Sequence, residues 1–156
     1  MTKTWPKQDY TSMTAFYGNV GQNQTQLLLP YPMRLAWDTS KTICKISCHK
    51  EVHDSLGEIL SEIYGVYGND LDKLQKDGMD LFGGCLNVRK VRGGDSWSIH
   101  SWGAAIDLDP AHNTLSMHRD RAAMPNQIID IFVSKGWTSM GRSRNYDFMH
   151  FQAASL

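Results

Sequence analysis

The chain has 156 residues, a usual length for one domain, and about two thirds of the unfolded surface is buried when a chain of this size folds. Hydrophobic residues make up 41% and charged residues 21%, a composition that excludes an intrinsically disordered protein. Sixteen basic and sixteen acidic side chains cancel, so no net positive field attracts nucleic acid or an anionic membrane. We expect one folded domain without nucleic acid as a partner.

The N-terminal sequence "MTKTWPKQDYTSM" contains no apolar segment of the kind found in signal peptides. The most apolar run, "LLLPYPMRLAW", is interrupted by two prolines and an arginine, so we expect no membrane insertion. Three cysteines, Cys44, Cys48 and Cys85, cannot all pair within one chain. Reduced thiols in a cytoplasmic product are the simplest interpretation.

In chain order, residues 1–35 are rich in turn-forming and polar residues, which predicts an N-terminal arm packed on a domain that spans residues 36–156. Residues 49–67 place apolar side chains at helical spacing and predict an amphipathic helix that ends near Gly65 and Gly68.

Beyond that helix, "DLDKLQ" predicts a short helix, and "CLNVRKVR" has the composition of a strand that leads into a loop at "GGDS". The stretch "AAIDLD" alternates apolar and acidic residues, which indicates a strand with one apolar face and one carboxylate face. A second helix is expected at "MPNQIIDIFVSKGW".

The closing stretch "YDFMHFQ" predicts a last strand, with His150 and Gln152 on one face. Strands and helices mixed along one chain indicate a single α+β domain.

Three residues in these strands have the chemistry of a catalytic zinc site, in which three protein side chains bind the metal and one position stays open. They are His100 and Asp107 in "SIHSWGAAIDLD" and His150 near the end of the chain. Residues seven apart on an unbroken strand point to opposite faces, so His100 must precede the strand, with a turn near Gly103. Asp109 shares a face with Asp107, and alternation alone leaves either carboxylate as the ligand.

Four further side chains have the chemistry that an amide hydrolase requires beside its metal. Asp147, three residues before His150, suits a carboxylate that takes a proton from the attacking water and delivers it to the leaving amine. Arg89 offers a forked donor for the developing oxyanion, with Arg92 as its competitor. Ser98 is a candidate for contacting substrate or orienting His100.

Two other patterns offer alternative sites. "HKEVH" has histidines four residues apart, the metal spacing of His-Glu-x-x-His peptidases, but Lys50 stands where that motif has its glutamate base. Cys48 or Cys85 with a histidine would suit a thiol-dependent amidase, although no nucleophile signature surrounds either cysteine.

The stretch "SIHSWGAAIDLD" resembles the Ser-x-His-x-x-Gly-x-Ala-x-Asp motif of zinc D,D-carboxypeptidases, D,D-dipeptidases and L-alanyl-D-glutamate endopeptidases, the M15-like peptidases of peptidoglycan. "DFMHF" resembles their closing Asp/Glu-x-x-His motif, and "CLNVRKVRGG" precedes both as an arginine-bearing segment. The resemblance implies Zn²⁺ bound by His100, Asp107 and His150. It also makes Asp147 the general acid/base and Arg89 the transition-state or substrate contact.

The resemblance further implies a hedgehog/D,D-peptidase-like α+β fold with a small antiparallel sheet that carries the zinc. The closing motif of the dipeptidase branch resembles Glu-x-Trp-His, whereas this chain has Asp147 and Met149 at the Glu and Trp positions. This difference favours the phage endolysin-like endopeptidase branch. The implied partner is the stem peptide of bacterial peptidoglycan. A D-alanyl-D-alanine carboxypeptidase and a non-catalytic, zinc-containing wall-binding domain are the alternatives. An endolysin without a signal peptide would accumulate in the cytoplasm and reach the wall through a holin-type pore.

Overall fold

The computed structural model describes residues 3–156, and Met1 and Thr2 lie outside it. Within that range the chain forms one small α+β domain, which confirms the predicted class. The strands are β1 (Gln24–Leu35), β2 (Asp38–His49), β3 (Leu81–Gly84), β4 (Ala105–Leu108), β5 (Thr138–Ser139) and β6 (His150–Gln152). The helices are α1 (Tyr10–Tyr17), α2 (His53–Val66), α3 (Leu71–Lys76), α4 (Asn126–Ser134) and α5 (Met140–Arg144). None of these helices is long and apolar enough to cross a membrane.

The strands of residues 3–156 form one six-stranded sheet in the order β2-β1-β3-β4-β6-β5. The sheet is mixed, since β1 and β3 run parallel while the other neighbouring pairs are antiparallel. Helices α2 and α4 cover one face. There Phe132 of α4 stacks on Phe151 of β6 with ring centroids 3.9 Å apart, and Ile106, the residue opposite Phe151, is fully buried. Asp107 follows Ile106 along β4, so its side chain points to the opposite face of the sheet.

The N-terminal region contributes directly to the sheet, because β1 lies between β2 and β3. Its regular pairing with β2 is interrupted between Leu28 and Met33. Pro30 and Pro32 lie in that interruption, where a residue without an N–H costs no ladder hydrogen bond. The prolines that favoured an arm in the sequence thus mark an irregularity within a strand. A domain boundary after residue 35 stays a prediction.

Three predicted helices are present as α2, α3 and α4, and the alternating "AAIDLD" stretch forms β4. The strand expected at "CLNVRKVR" is wrong, because the strand ends at Gly84 and the chain continues as a loop. In that loop the backbone N–H groups of Asn87 and Arg89 donate to the His100 carbonyl and the Ser101 hydroxyl. Their partners thus lie in the turn that follows, which is why strand-like composition does not produce a strand.

That turn is a short 3-10 helix, Ile99–Trp102, which delivers His100 to the sheet. Ser98 caps it, since its hydroxyl accepts from the His100 backbone N–H. Gly103 closes it in the left-handed conformation with φ of 68°, and its N–H donates to the His100 carbonyl at 3.0 Å. The predicted order of loop histidine, glycine turn and strand aspartate is confirmed.

We predict that Gly103→Ala lowers the free energy of unfolding. The left-handed backbone alone costs a side-chain-bearing residue about 1–2 kcal/mol, and the added Cβ would lie 2.9 Å from the backbone nitrogen of His49. Urea denaturation of the two proteins measures the loss. Gly65→Ala is the matched control, because that glycine lies within α2 with open space around it. The control should gain about 0.5–1 kcal/mol, and equal stability of both variants would contradict the assigned turn.

Candidate metal centre

Three side chains from distant parts of the chain converge on the open face of the sheet. His100, Asp107 and His150 each offer a ligand atom, and these atoms lie within 4.8 Å of one another. The Asp107 carboxylate lies between the two rings. Its Oδ2 is 3.2 Å from His100 Nε2, and its Oδ1 is 3.2 Å from His150 Nδ1. This is the set that the sequence predicted to come together.

The sheet register places two of these groups, and the glycine turn places the third. Asp107 of β4 and His150 of β6 are directly opposite each other in the antiparallel pair, so their side chains emerge side by side. His100 comes from the 3-10 turn immediately before β4. Asp109, the alternative ligand, accepts from His112 at 2.8 Å and takes no part in the cluster.

The outer nitrogen of each histidine is bound to a protein oxygen. His100 Nδ1 donates to the backbone carbonyl of Cys85 at 2.8 Å, and His150 Nε2 donates to Oε1 of Gln152 at 2.9 Å. An oxygen of this kind only accepts, so the proton of each neutral ring lies on the outer nitrogen. The inner nitrogens then direct their lone pairs at the Asp107 carboxylate.

This donor set fits a divalent cation. Two lone pairs and a carboxylate at this separation repel one another unless positive charge lies between them. Among residues 3–156, the buried Nε2 of His100 has no hydrogen-bond partner of acceptable geometry despite its proximity to Asp107. Two imidazoles and one carboxylate, with their outer atoms hydrogen-bonded, are the usual surroundings of a catalytic metal with an open position.

The pKa shifts of Asp107 and His150 also indicate that the cluster favours a positive charge. Burial by itself raises the pKa of Asp107, but the close contacts with His100 and His150 and their charge outweigh it and hold the pKa far below the ordinary range. Burial lowers the pKa of His150, whereas its hydrogen bond to Asp107 and the carboxylate charge raise the pKa above the usual value. Both shifts favour a positive charge beside the Asp107 carboxylate.

Asp147 lies beside this cluster, in the turn that leads into β6. Its carbonyl accepts from the His150 N–H at 3.0 Å, and its N–H donates to the Leu115 carbonyl at 2.9 Å. The backbone is left-handed, with φ of 57°, a strained geometry that is common at functional sites. Burial raises the pKa of the Asp147 carboxyl, and the positive charge of His150 partly opposes that shift. Such a carboxyl is suited to exchanging protons.

The remaining candidate residues, Arg89, Arg92 and Ser98, differ in their contacts with the cluster. Arg89 is exposed, and its positive charge lowers the pKa of Asp147, which places it within electrostatic reach. Arg92 is exposed in the loop between the bridged residues Lys90 and Trp97, and no contact joins it to the cluster. The buried Ser98 hydroxyl caps the turn that carries His100. The substrate-binding roles of Arg92 and Ser98 stay predictions.

The alternative histidine site does not form. His49 ends β2 and is buried, with its ring bound to the Tyr17 carbonyl and the Glu51 N–H. His53 begins α2 and contacts Asp54, so the two histidines do not share a helix face.

The thiols are also unsuited to nucleophilic attack. Cys48 and Cys85 are buried, and burial raises the pKa of both, which disfavours the thiolate that a nucleophile requires.

Sequence reasoning missed two parts of this site. Gln152 was placed on the face of His150, but nothing in the pattern marked it as the partner of the ring. The second is a groove of about 510 Å³ between β2 and the residues that follow β3. Phe82 and the exposed Trp37 lie at the groove with ring centroids 6.4 Å apart, and Lys45 is its charged lining residue. Cys85, whose carbonyl holds His100, also lines it.

An α+β domain with a His-Asp-His cluster and an adjacent carboxyl of raised pKa has the features of a metal-dependent hydrolase. Residues 92–153 match the family model described as D-alanyl-D-alanine carboxypeptidase, an M15 peptidase model, and this part of the chain carries all three ligands and Asp147. The match confirms the resemblance to M15-like peptidases, which are metal-dependent, and it supports a peptidase. No curated protein and no solved structure matches the chain significantly.

We predict that metal affinity falls as the pH is lowered, because protons compete for the ligand nitrogens. The pKa of His150 is raised above the ordinary value of 6.5, so the loss should begin above pH 6.5 rather than below it. Competition of zinc between the protein and a chromophoric chelator, from about pH 8 to about pH 5.5, measures the profile. Circular dichroism at each pH verifies that the protein stays folded. A constant affinity down to the ordinary pKa of histidine would refute the assignment.

Proposed function

We propose that this protein is a zinc peptidase that hydrolyses amide bonds in peptidoglycan stem peptides, as a phage-type L-alanyl-D-glutamate endopeptidase. The observation that carries the proposal is the His-Asp-His cluster, whose two rings expose their inner nitrogens to one point. The M15 peptidase model matches the segment that holds the cluster. The closing motif "DFMHF" supports the endolysin-like branch by resemblance.

In this proposal His100, Asp107 and His150 hold the metal and leave one position open. A zinc ion bound there would polarise the scissile carbonyl and bring the pKa of a water towards neutrality. The chain's own contribution is orientation, because the Cys85 carbonyl and Gln152 fix the two rings before any ligand binds.

Asp147 moves the proton in this reaction. It accepts a proton from the attacking water and then donates it to the leaving nitrogen. The nitrogen therefore leaves as a neutral amine and not as an amide anion. Burial raises the pKa of Asp147 above the ordinary value, which favours its protonated form relative to an exposed aspartate. Arg89, at the rim, balances the charge that develops on the carbonyl oxygen or pairs with a substrate carboxylate.

The groove is an argument for a peptide as the substrate. Cys85, whose carbonyl accepts from His100, is one of its lining residues, so a chain bound in it would lie one residue away from a candidate metal ligand. Lys45 offers a positive charge to the carboxylates of a stem peptide, and the structure shows no ion pair for it among residues 3–156. Trp37, 66% exposed, offers a flat apolar surface.

Two alternatives remain with specific support. A D-alanyl-D-alanine carboxypeptidase is favoured by the description of the matched model. A non-catalytic wall-binding domain would use the same cluster as a structural site, but the strained, half-buried Asp147 argues against it.

The proposed endolysin would accumulate in the cytoplasm and reach the wall through a holin-type pore.

Mass spectrometry of fragments released from purified peptidoglycan tests the function. The wild-type protein should release fragments with new N-terminal D-glutamate, and a chelator should stop the release. His150→Ala should release none and bind zinc weakly, since one of three ligands is lost. His53→Ala is the control, because it removes a half-buried histidine outside the cluster. Release of free D-alanine would favour the carboxypeptidase, and chelator-resistant activity would refute metal-dependent hydrolysis.

We predict that Asp147→Asn retains zinc and loses turnover by about 10²-fold or more, because the amide cannot carry the proton. Asparagine tolerates the left-handed backbone at this position, so the fold should persist. Zinc content and the hydrolysis rate of a stem-peptide substrate are the two measurements. Asp120→Asn, an exposed change, is the control. Turnover that survives in the first variant would contradict the proton-transfer role of Asp147, and a wild-type protein that binds zinc without any turnover would support the wall-binding alternative.

A further inference from the structure

We propose that Gln152 is a positioning residue that keeps the proton of His150 on Nε2, so that Nδ1 presents its lone pair to the metal, and that Gln8 helps to hold Gln152. The inference rests on the proposed metal site and adds two residues that no motif includes. Gln8 lies near the start of the chain, far from the matched segment. The structure joins it to the centre through side-chain amides.

The chain of contacts runs outward from the metal ligand. His150 Nε2 lies 2.9 Å from Oε1 of Gln152, and Nε2 of Gln152 donates to Oε1 of Gln8 at 3.0 Å. The same Gln152 nitrogen lies 3.3 Å from the carbonyl of Ala154. Gln152 is 1% exposed, so water does not compete at its inner end.

The Ala154 carbonyl gives this contact chain its direction. A backbone carbonyl only accepts, so the NH₂ group of Gln152 must face it and the Oε1 must face His150. The ring can then satisfy Oε1 only by carrying its proton on Nε2. Nδ1 is left with a free lone pair on the side of Asp107, where a metal binds.

The reverse orientation would disable the ligand. With its amide turned by half a rotation, Gln152 would donate to Nε2 of His150 and place its own oxygen against the Ala154 carbonyl. The proton would then lie on Nδ1 and occupy the metal position. Asp107 by itself favours that arrangement, because its carboxylate lies 3.2 Å from Nδ1 and could only accept a proton from it. Gln152 therefore opposes a local tendency that would compete with the metal.

The N-terminal segment is fastened at this point. Pro6 accepts from Ser155 through its carbonyl, and the Gln8 N–H donates to the Ser155 carbonyl, both at 2.8 Å. These bonds bring the exposed Gln8 side chain over Gln152. Gln8 supplies a second acceptor for the Gln152 amide, and because it is exposed, water can partly replace it.

Zinc affinity by chelator competition tests the inference, with ¹⁵N NMR of histidine-labelled, zinc-loaded protein as a second measurement. Gln152→Leu should weaken zinc binding by about 10–100-fold. Gln152→Glu keeps an oxygen towards His150 but places its second oxygen against the Ala154 carbonyl, so it should weaken zinc binding, though less than Gln152→Leu does. Gln8→Ala should weaken binding by a few-fold. In the wild-type protein the His150 proton should lie on Nε2.

Gln26→Leu is the control, since it removes a surface glutamine of β1 that bonds to Ser47. If Gln152→Leu fails to fold, the Gln152→Glu and Gln8→Ala variants and the wild-type NMR spectrum still decide. Wild-type affinity in the folded Gln152 or Gln8 variants, or a wild-type proton on Nδ1, would overturn the inference while leaving the zinc peptidase intact. Failure of the wild-type protein itself to bind zinc would overturn both.

Discussion

The register between β4 and β6 is the constraint on which the centre depends. Asp107 and His150 are opposite one another, and their neighbours Ile106 and Phe151 face the core on the other side of the sheet. Because side chains alternate along a strand, a slip of one residue would exchange the two faces. The stacking of Phe151 on Phe132 of α4 resists that slip. The same packing that buries the core therefore aligns the polar side chains above it.

This register also imposes an electrostatic cost that the rest of the site offsets. A nearly buried carboxylate between two imidazoles is stable only with positive charge nearby. Contact with His100 and His150 lowers the pKa of Asp107, and the carboxylate in turn raises the pKa of His150. Asp147 adds a further carboxyl beside the cluster, and burial raises its pKa above the ordinary value for aspartate. The site is arranged for one cation and one exchangeable proton.

The sequence was sufficient where a local pattern carried the information. Alternation in "AAIDLD" predicted β4, and helical spacing predicted α2 and α4. The three ligands followed from the chemistry of His and Asp in two short motifs. Alternation left Asp109 open as a ligand, and only its hydrogen bond to His112 removes it from the site.

The rest of the site depends on contacts between distant parts of the chain. The partner of His100 is a backbone carbonyl, that of Cys85, and any residue type provides the same atom. The amide that orients His150 is itself held by Gln8, 144 positions away. In β1, prolines hid a strand because its irregular pairing with β2 is visible only in the sheet. No local pattern reports such partners.

The division of the chain between chemistry and substrate contact follows from this arrangement. Residues 92–153 carry the ligands and Asp147, whereas the groove is lined by residues from Trp37 to Asn87. In the proposed function, changes at the groove surface can therefore alter peptide binding without moving His100, Asp107 or His150. Cys85 and Asn87 are exceptions, because both line the groove and both hydrogen-bond to His100, through the Cys85 carbonyl and the Asn87 N–H. A shift of either backbone would be transmitted directly to His100, so the groove and the candidate metal centre are coupled through these two residues.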